Sequence, residues 1–144
     1  MKTEIPENCK PRDRRLKVIG VWLCVLASVV VLSLLPETNP VVESVPPFWS
    51  DLAHIPAYAL LTLLTILVVA TRVRMSVGVL AVIVMLLTLF GGFIELIQPF
   101  TGRTSDYMDT IRNGFGASLT AWGYHLWVAR RAAVAGEQTA KSIP

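Results

Sequence analysis

Long apolar stretches separated by short polar ones dominate this chain. Residues 18–35 form an uncharged run, and 52–70 contains only His54 and Tyr58 as ionisable groups. Residues 75–94 are again uncharged, and the pattern continues to Gln98. The stretch 107–129 begins with Asp109, Arg112 and Asn113 and is then uncharged apart from His125. A bilayer core about 30 Å thick is crossed by about 20 apolar residues in a helix. The pattern therefore predicts an all-α integral membrane protein of four transmembrane helices, over about 18–35, 52–70, 75–98 and 107–129, in an antiparallel bundle. The short connection at 71–74 makes the second and third a tight hairpin. Pro46-Pro47 is expected to keep the loop from Pro36 to Ser50 extended.

Basic residues give the bundle an orientation. Lys2, Lys10, Arg12, Arg14, Arg15 and Lys17 precede the first span, Arg72 and Arg74 join the second and third, and Arg130, Arg131 and Lys141 follow the fourth. Lys and Arg collect on the cytoplasmic side of membrane proteins, so both termini are expected inside, in the plasma membrane. Residues 1–17 are then a basic cytoplasmic segment, 18–129 the membrane domain and 130–144 a cytoplasmic tail. On the outer side Glu37, Glu43, Asp51, Glu95, Asp106 and Asp109 outnumber Arg103 and Arg112. Phe48, Trp49, Phe100 and Tyr107 mark the outer interface; Trp122, Tyr124 and Trp127 mark the inner one. The first span reads as a retained anchor, being long for the apolar core of a signal peptide and lacking a small-residue cleavage pattern after Leu35.

Composition agrees. The chain has 144 residues, 53% hydrophobic and only 16% charged, with a formal net charge of +3. Soluble domains carry about 25% charged residues. The basic excess is a topology signal and gives no reason to expect nucleic acid; the expected partners are membrane lipids, with association of a second copy left open. Cys9 and Cys24 are not placed for a disulfide.

Polar residues within the spans are costly and mark functional positions. Asp51, His54 and Tyr58 share one helical face at i, i+3 and i+7, as do Asp106, Asp109 and Asn113, while Glu95 and Gln98 stand at i and i+3. Antiparallel threading brings all three stripes, with Arg103, to the outer membrane surface. Ser50 or Asp51, and Ser105 or Asp106, are candidate helix caps. Glu95 sits near a helix C-terminus, where the dipole disfavours an anion, and so requires a cation, a metal or a proton; Arg103 is the nearest candidate. Arg112 is a second, with Asp109 three residues before it as its simplest partner. Pro56 removes one backbone donor beside His54.

Asp51-x-x-His54-x-x-x-Tyr58, Glu95-x-x-Gln98 and Gly102-Arg103-x-x-Asp106-x-x-Asp109-x-x-x-Asn113-x-x-Gly116-Ala117 together resemble the VanZ-like family, over residues 51–117. Departures include Leu52, Ile55, Thr101, Thr120 and Arg112. The resemblance implies a small multi-pass membrane protein and, through the name-giving member, a link to low-level teicoplanin resistance; it supplies no reaction.

Three readings of the cluster follow. In the first, it binds or acts on an envelope lipid or its headgroup: Arg103 holds a phosphate or carboxylate, His54 moves a proton, and Asp51, Glu95 or Asp109 orients it or acts as base. Gln98, Asp106, Asn113 and Tyr58 complete the binding set. In the second, His54 with Asp51, Glu95 and Asp109 holds zinc or manganese in a metal-dependent hydrolase or transferase. In the third, the cluster is a hydrogen-bonded network that fixes helix packing. The cofactor and the question of enzymatic activity stay open. No His-Glu-x-x-His or Gly-x-Ser-x-Gly motif is present, and His125, near the inner face, reads as interfacial packing.

Overall fold

Four long helices and one short one make up the protein in the computed structural model, which describes residues 11–141. They are α1 (Pro11–Leu34), α2 (Pro40–Glu43), α3 (Pro47–Val69), α4 (Val77–Ile97) and α5 (Tyr107–Lys141), with a 3₁₀ turn, Gln98–Thr101, after α4. There is no strand among the described residues. Lys2, Cys9 and Lys10 lie outside them, and so does the end of the tail beyond 141.

Side-chain contacts fix the register. Trp22 Nε1 donates to Thr65 Oγ1 across α1 and α3, while Leu32, near the end of α1, lies close to Ser50, near the start of α3, through Arg103. The two helices are therefore antiparallel. Thr120 Oγ1 donates to the Ala59 carbonyl and His54 meets Asn113, so α3 and α5 run parallel. A side chain added at Gly92 would meet Thr110 and one at Gly114 would meet Thr88, so α4 and α5 are antiparallel.

Three stretches are long and apolar enough to cross a membrane: Arg15–Leu34, Pro47–Val69 and Val77–Thr101. Only 11%, 28% and 22% of their apolar windows is buried within the protein. The apolar residues thus face outward: Leu89, Phe93 and Leu96 are all more than half exposed. In water such a surface would associate or aggregate; in lipid it is the expected exterior.

The fourth expected span differs. α5 continues as one helix of 35 residues, about 52 Å long, and even its uncharged stretch 113–129, with Asn113, His125 and many Gly, Ser, Thr, Trp and Tyr residues, is too polar to join that apolar class. The segment 130–141 is helical, and so is Pro11–Lys17 at the start of α1. Arg131 stacks over Trp127, 4.2 Å from the ring centre, which is how a long basic side chain lies along an apolar surface with its charge at the edge.

Several local expectations are corrected. The loop from Pro36 to Ser50 is not extended throughout: Asn39 caps α2 by accepting from Val41 N at 3.0 Å, and Pro47 begins α3. Asn39, with ψ 129, and Pro46, with ψ 141, keep an extended backbone. Because α3 starts one turn early, Ser50 and Asp51 are not its caps. Proline suits the first helical turn, where its missing N–H has no partner to lose. At α5 the expectation holds: Asp106 Oδ1 accepts from Met108 N at 2.9 Å. α3 continues through Pro56 without interruption.

The interior is divided. Toward the end holding the 70–76 connection, Ile66, Leu80, Ile83 and Ala121 form an apolar core. Toward the other end, the buried residues include Tyr58, Glu95, Gln98, Asp109 and Asn113. Arg72, Arg74, Arg130 and Arg131 belong to the first end; the acidic residues of the cluster belong to the second.

Candidate functional site

The predicted stripes converge. α3 contributes Asp51 and His54, the end of α4 contributes Glu95, the following turn Gln98, and α5 contributes Asp106, Asp109 and Asn113. Two glycines permit this approach. A Cβ at Gly116 would collide with the backbone carbonyl of Ile55, the residue after His54. One at Gly91 would stand 2.5 Å from Asn113 Nδ2 and 3.0 Å from Tyr58 Oη. Small residues at such crossings let membrane helices close up.

The site has a rim and a floor. Arg112 is the centre of the rim. Its guanidinium pairs with Asp51 Oδ2 at 3.3 Å, with Asp106 Oδ2 at 3.4 Å, and with Asp109 Oδ1. The Asp51 and Asp106 side chains are 45% and 44% exposed. The sequence offers Arg112 as a second partner for Glu95 or, more simply, for Asp109; it takes Asp109 and does not pair with Glu95. Its position three residues after Asp109 and six after Asp106 signals the α5 pairs, but the cross-helix pair to Asp51 needs the α3–α5 register.

On the floor, His54 Nε2 lies 3.2 Å from Asp109 Oδ2, with both side chains 10% exposed. His54 Nδ1 lies 3.0 Å from Asn113 Oδ1. Both ring nitrogens therefore have partners within the protein. Asp109 joins the layers, one oxygen on Arg112 and the other toward His54.

Glu95 is 4% exposed and does not pair with Arg103, contrary to expectation. Gln98 Nε2 donates to its Oε1 at 3.1 Å and Asp106 N to its Oε2 at 3.1 Å. Gln98 Nε2 also reaches the Ser33 carbonyl at 3.3 Å, tying the floor to α1. Gly102, left-handed with φ 77, ends the 3₁₀ turn just before Arg103. Arg103 instead donates to the Leu32 carbonyl at 3.1 Å and to Ser50 Oγ at 3.4 Å. It forms no ion pair among the described residues.

Beside Arg103 a groove of about 410 Å³ opens between α1, α2 and α3. Val25, Val29, Leu32, Val41 and Leu60 give it apolar walls, while Arg103, Ser50 and His54 supply polar groups. The loop above is held by Glu37, whose Oε1 accepts from Thr104 N at 2.8 Å. That bond, helped by the nearby Arg103 charge, holds the Glu37 carboxyl below its ordinary range.

Of the expected metal set, His54, Glu95 and Asp109 each bring one ligand atom within 4.8 Å of the others. Asp51 is drawn away to Arg112. Tyr58 is buried, with its hydroxyl close to Gly91, and lines the α1–α3 groove. His125 is exposed on the far half of α5.

Comparison with protein families, with curated proteins and with solved structures finds no match to this chain.

Proposed function

We propose that this is a multi-pass plasma-membrane protein that binds an anionic envelope lipid at its outer face, with the chain in the α1–α3 groove and the headgroup on Arg103. One observation carries the reading: an arginine that forms no ion pair among the described residues stands beside an apolar groove. A guanidinium held by a carbonyl and a hydroxyl keeps free donors, which suit a phosphate or carboxylate. The apolar walls suit an acyl or isoprenoid chain. In this reading α5 is the fourth span, crossing with the apolar stretch after Arg112 and projecting its basic end into the cytoplasm. The charge difference between the two ends of the bundle supports both termini inside. The resemblance to the VanZ-like family adds glycopeptide susceptibility as a phenotype to measure.

The geometry favours binding over proton transfer by His54, since both ring nitrogens are engaged. The test is thermal unfolding of detergent-solubilised protein with added lipid. Phosphatidylglycerol should raise the midpoint more than phosphatidylcholine, and Arg103→Ala should abolish that difference. Equal stabilisation by the two lipids, or an unchanged difference in Arg103→Ala, contradicts the reading.

A further inference from the structure

We propose that His54, Glu95 and Asp109 bind one divalent transition-metal ion of the zinc or manganese class. Three helix ends deliver the three groups, and their ligand atoms lie within 4.8 Å of one another. The 3.2 Å between His54 Nε2 and Asp109 Oδ2 is close to the spacing of two ligands on one tetrahedral zinc, about 3.4 Å for bonds of about 2.0–2.2 Å. Nitrogen with carboxylate oxygen is a donor set that suits these ions.

The orientation of the histidine is a second, independent observation. Asn113 Oδ1 is an acceptor 3.0 Å from Nδ1, so the ring carries its proton there and His54 Nδ1–H donates to Asn113. In the neutral ring Nε2 then presents a lone pair toward an Asp109 carboxylate oxygen. Two lone pairs in that position repel unless a cation or a second ring proton stands between them. Metal-bound histidines are held in this way, the far ring nitrogen donating to a protein oxygen. Two competing arrangements need no metal: a second ring proton on Nε2 donated to Asp109, or an Asn113 amide turned over with the single ring proton on Nε2.

The remaining contacts fit ligation. Gln98 Nε2 and Asp106 N each occupy one Glu95 oxygen, and a carboxylate oxygen has a second lone pair to give. Arg112 pairs with Asp109 Oδ1 and leaves Oδ2 toward the site. Charge points the same way: Asp51, Glu95, Asp106 and Asp109 converge, with Arg112 as the only cation paired to them among the described residues. A divalent ion offsets most of the excess. His54 also lines the groove beside Arg103; an ion here would stand at the wall of the lipid groove, a consequence that rests on the lipid reading, whereas the ion binding does not.

The experiment is metal titration of full-length, chelator-stripped protein in detergent, without added lipid, using zinc, manganese and, as a spectroscopic probe, cobalt. The wild type should take up one zinc or manganese ion per chain with a rise in thermal midpoint. Cobalt should give a visible band of low coordination number. His54→Ala and Asp109→Asn should weaken binding by more than about 100-fold, and Asn113→Ala by about 10–100-fold through release of the ring. Glu43→Gln, on α2, should bind as the wild type does. The cobalt spectrum needs no variant and stands even where a substitution prevents folding. No stoichiometric uptake by the wild type, a cobalt spectrum identical to the aqueous ion, or His54→Ala binding as tightly as the wild type would overturn the proposal.

Discussion

Arg112 Nη2 on α5 lies 3.3 Å from Asp51 Oδ2 on α3, and the same guanidinium also holds Asp106 and Asp109. One cation therefore ties the rim together, offsets part of its charge and steadies the deeper Asp109, whose second oxygen faces His54. Replacing it leaves a nearly buried carboxylate without compensation, a change that costs about 3 kcal/mol in comparable buried pairs. Arg112→Gln should approach that loss in reversible unfolding in detergent. Asp51→Asn, at a half-exposed position, should cost about 0–1 kcal/mol. Equal losses from the two variants would show that Arg112 does not support the floor.

The α3–α5 crossing makes a second prediction. Gly116 packs against the Ile55 carbonyl, and neither backbone can move aside without separating the helices. Gly116→Ala should destabilise by about 1–3 kcal/mol and disturb the His54 environment, visible as a shift of its ring signals in NMR. Gly123, seven residues along the same helix, has nothing within 4 Å of an added Cβ. Gly123→Ala should be neutral or slightly stabilising, since alanine favours helix. A stable Gly116→Ala variant would contradict the close crossing.

Acid should release the loop over the groove. The folded Glu37 carboxyl is held below its ordinary value of 4.5, first by the Thr104 N–H and more weakly by Arg103. A depressed folded value means the contribution is fully present above the ordinary value and is lost as pH falls through the lowered one. Hydrogen exchange at the Thr104 amide should accelerate, after correction for intrinsic rates, as pH drops from about 5 to about 3. Glu37→Gln should remove that dependence. Unchanged protection across this range would place Thr104 under other control.

Much of this arrangement is legible in the amino-acid order. The i, i+3, i+7 stripes of Asp51, His54 and Tyr58, and of Asp106, Asp109 and Asn113, survive intact because a polar face among apolar residues has only the bundle interior to turn to. Element limits are less legible. Hydropathy ends where charge begins, but the backbone of α5 continues in helix to Lys141 through Arg130 and Arg131. The partner of Arg103 was beyond reach for a different reason. The Arg103 side chain follows a turn that ends in the left-handed Gly102, and the path of such a turn leaves no periodic signal. Arg112 shows a third limit: its contact to Asp51 depends on the relative rotation of two helices far apart in sequence.

The most direct measurement is native mass spectrometry of the protein released from its membrane, with lipid retention compared among the wild type, Arg103→Ala and Ser28→Trp. Ser28 lines the groove from α1 and is exposed, so tryptophan there fills the space assigned to the chain, while Arg103→Ala removes the group assigned to the head. The account predicts that the wild type retains an anionic lipid and that each variant loses it while remaining folded. Retention of the same lipid at the same level by both variants would contradict it.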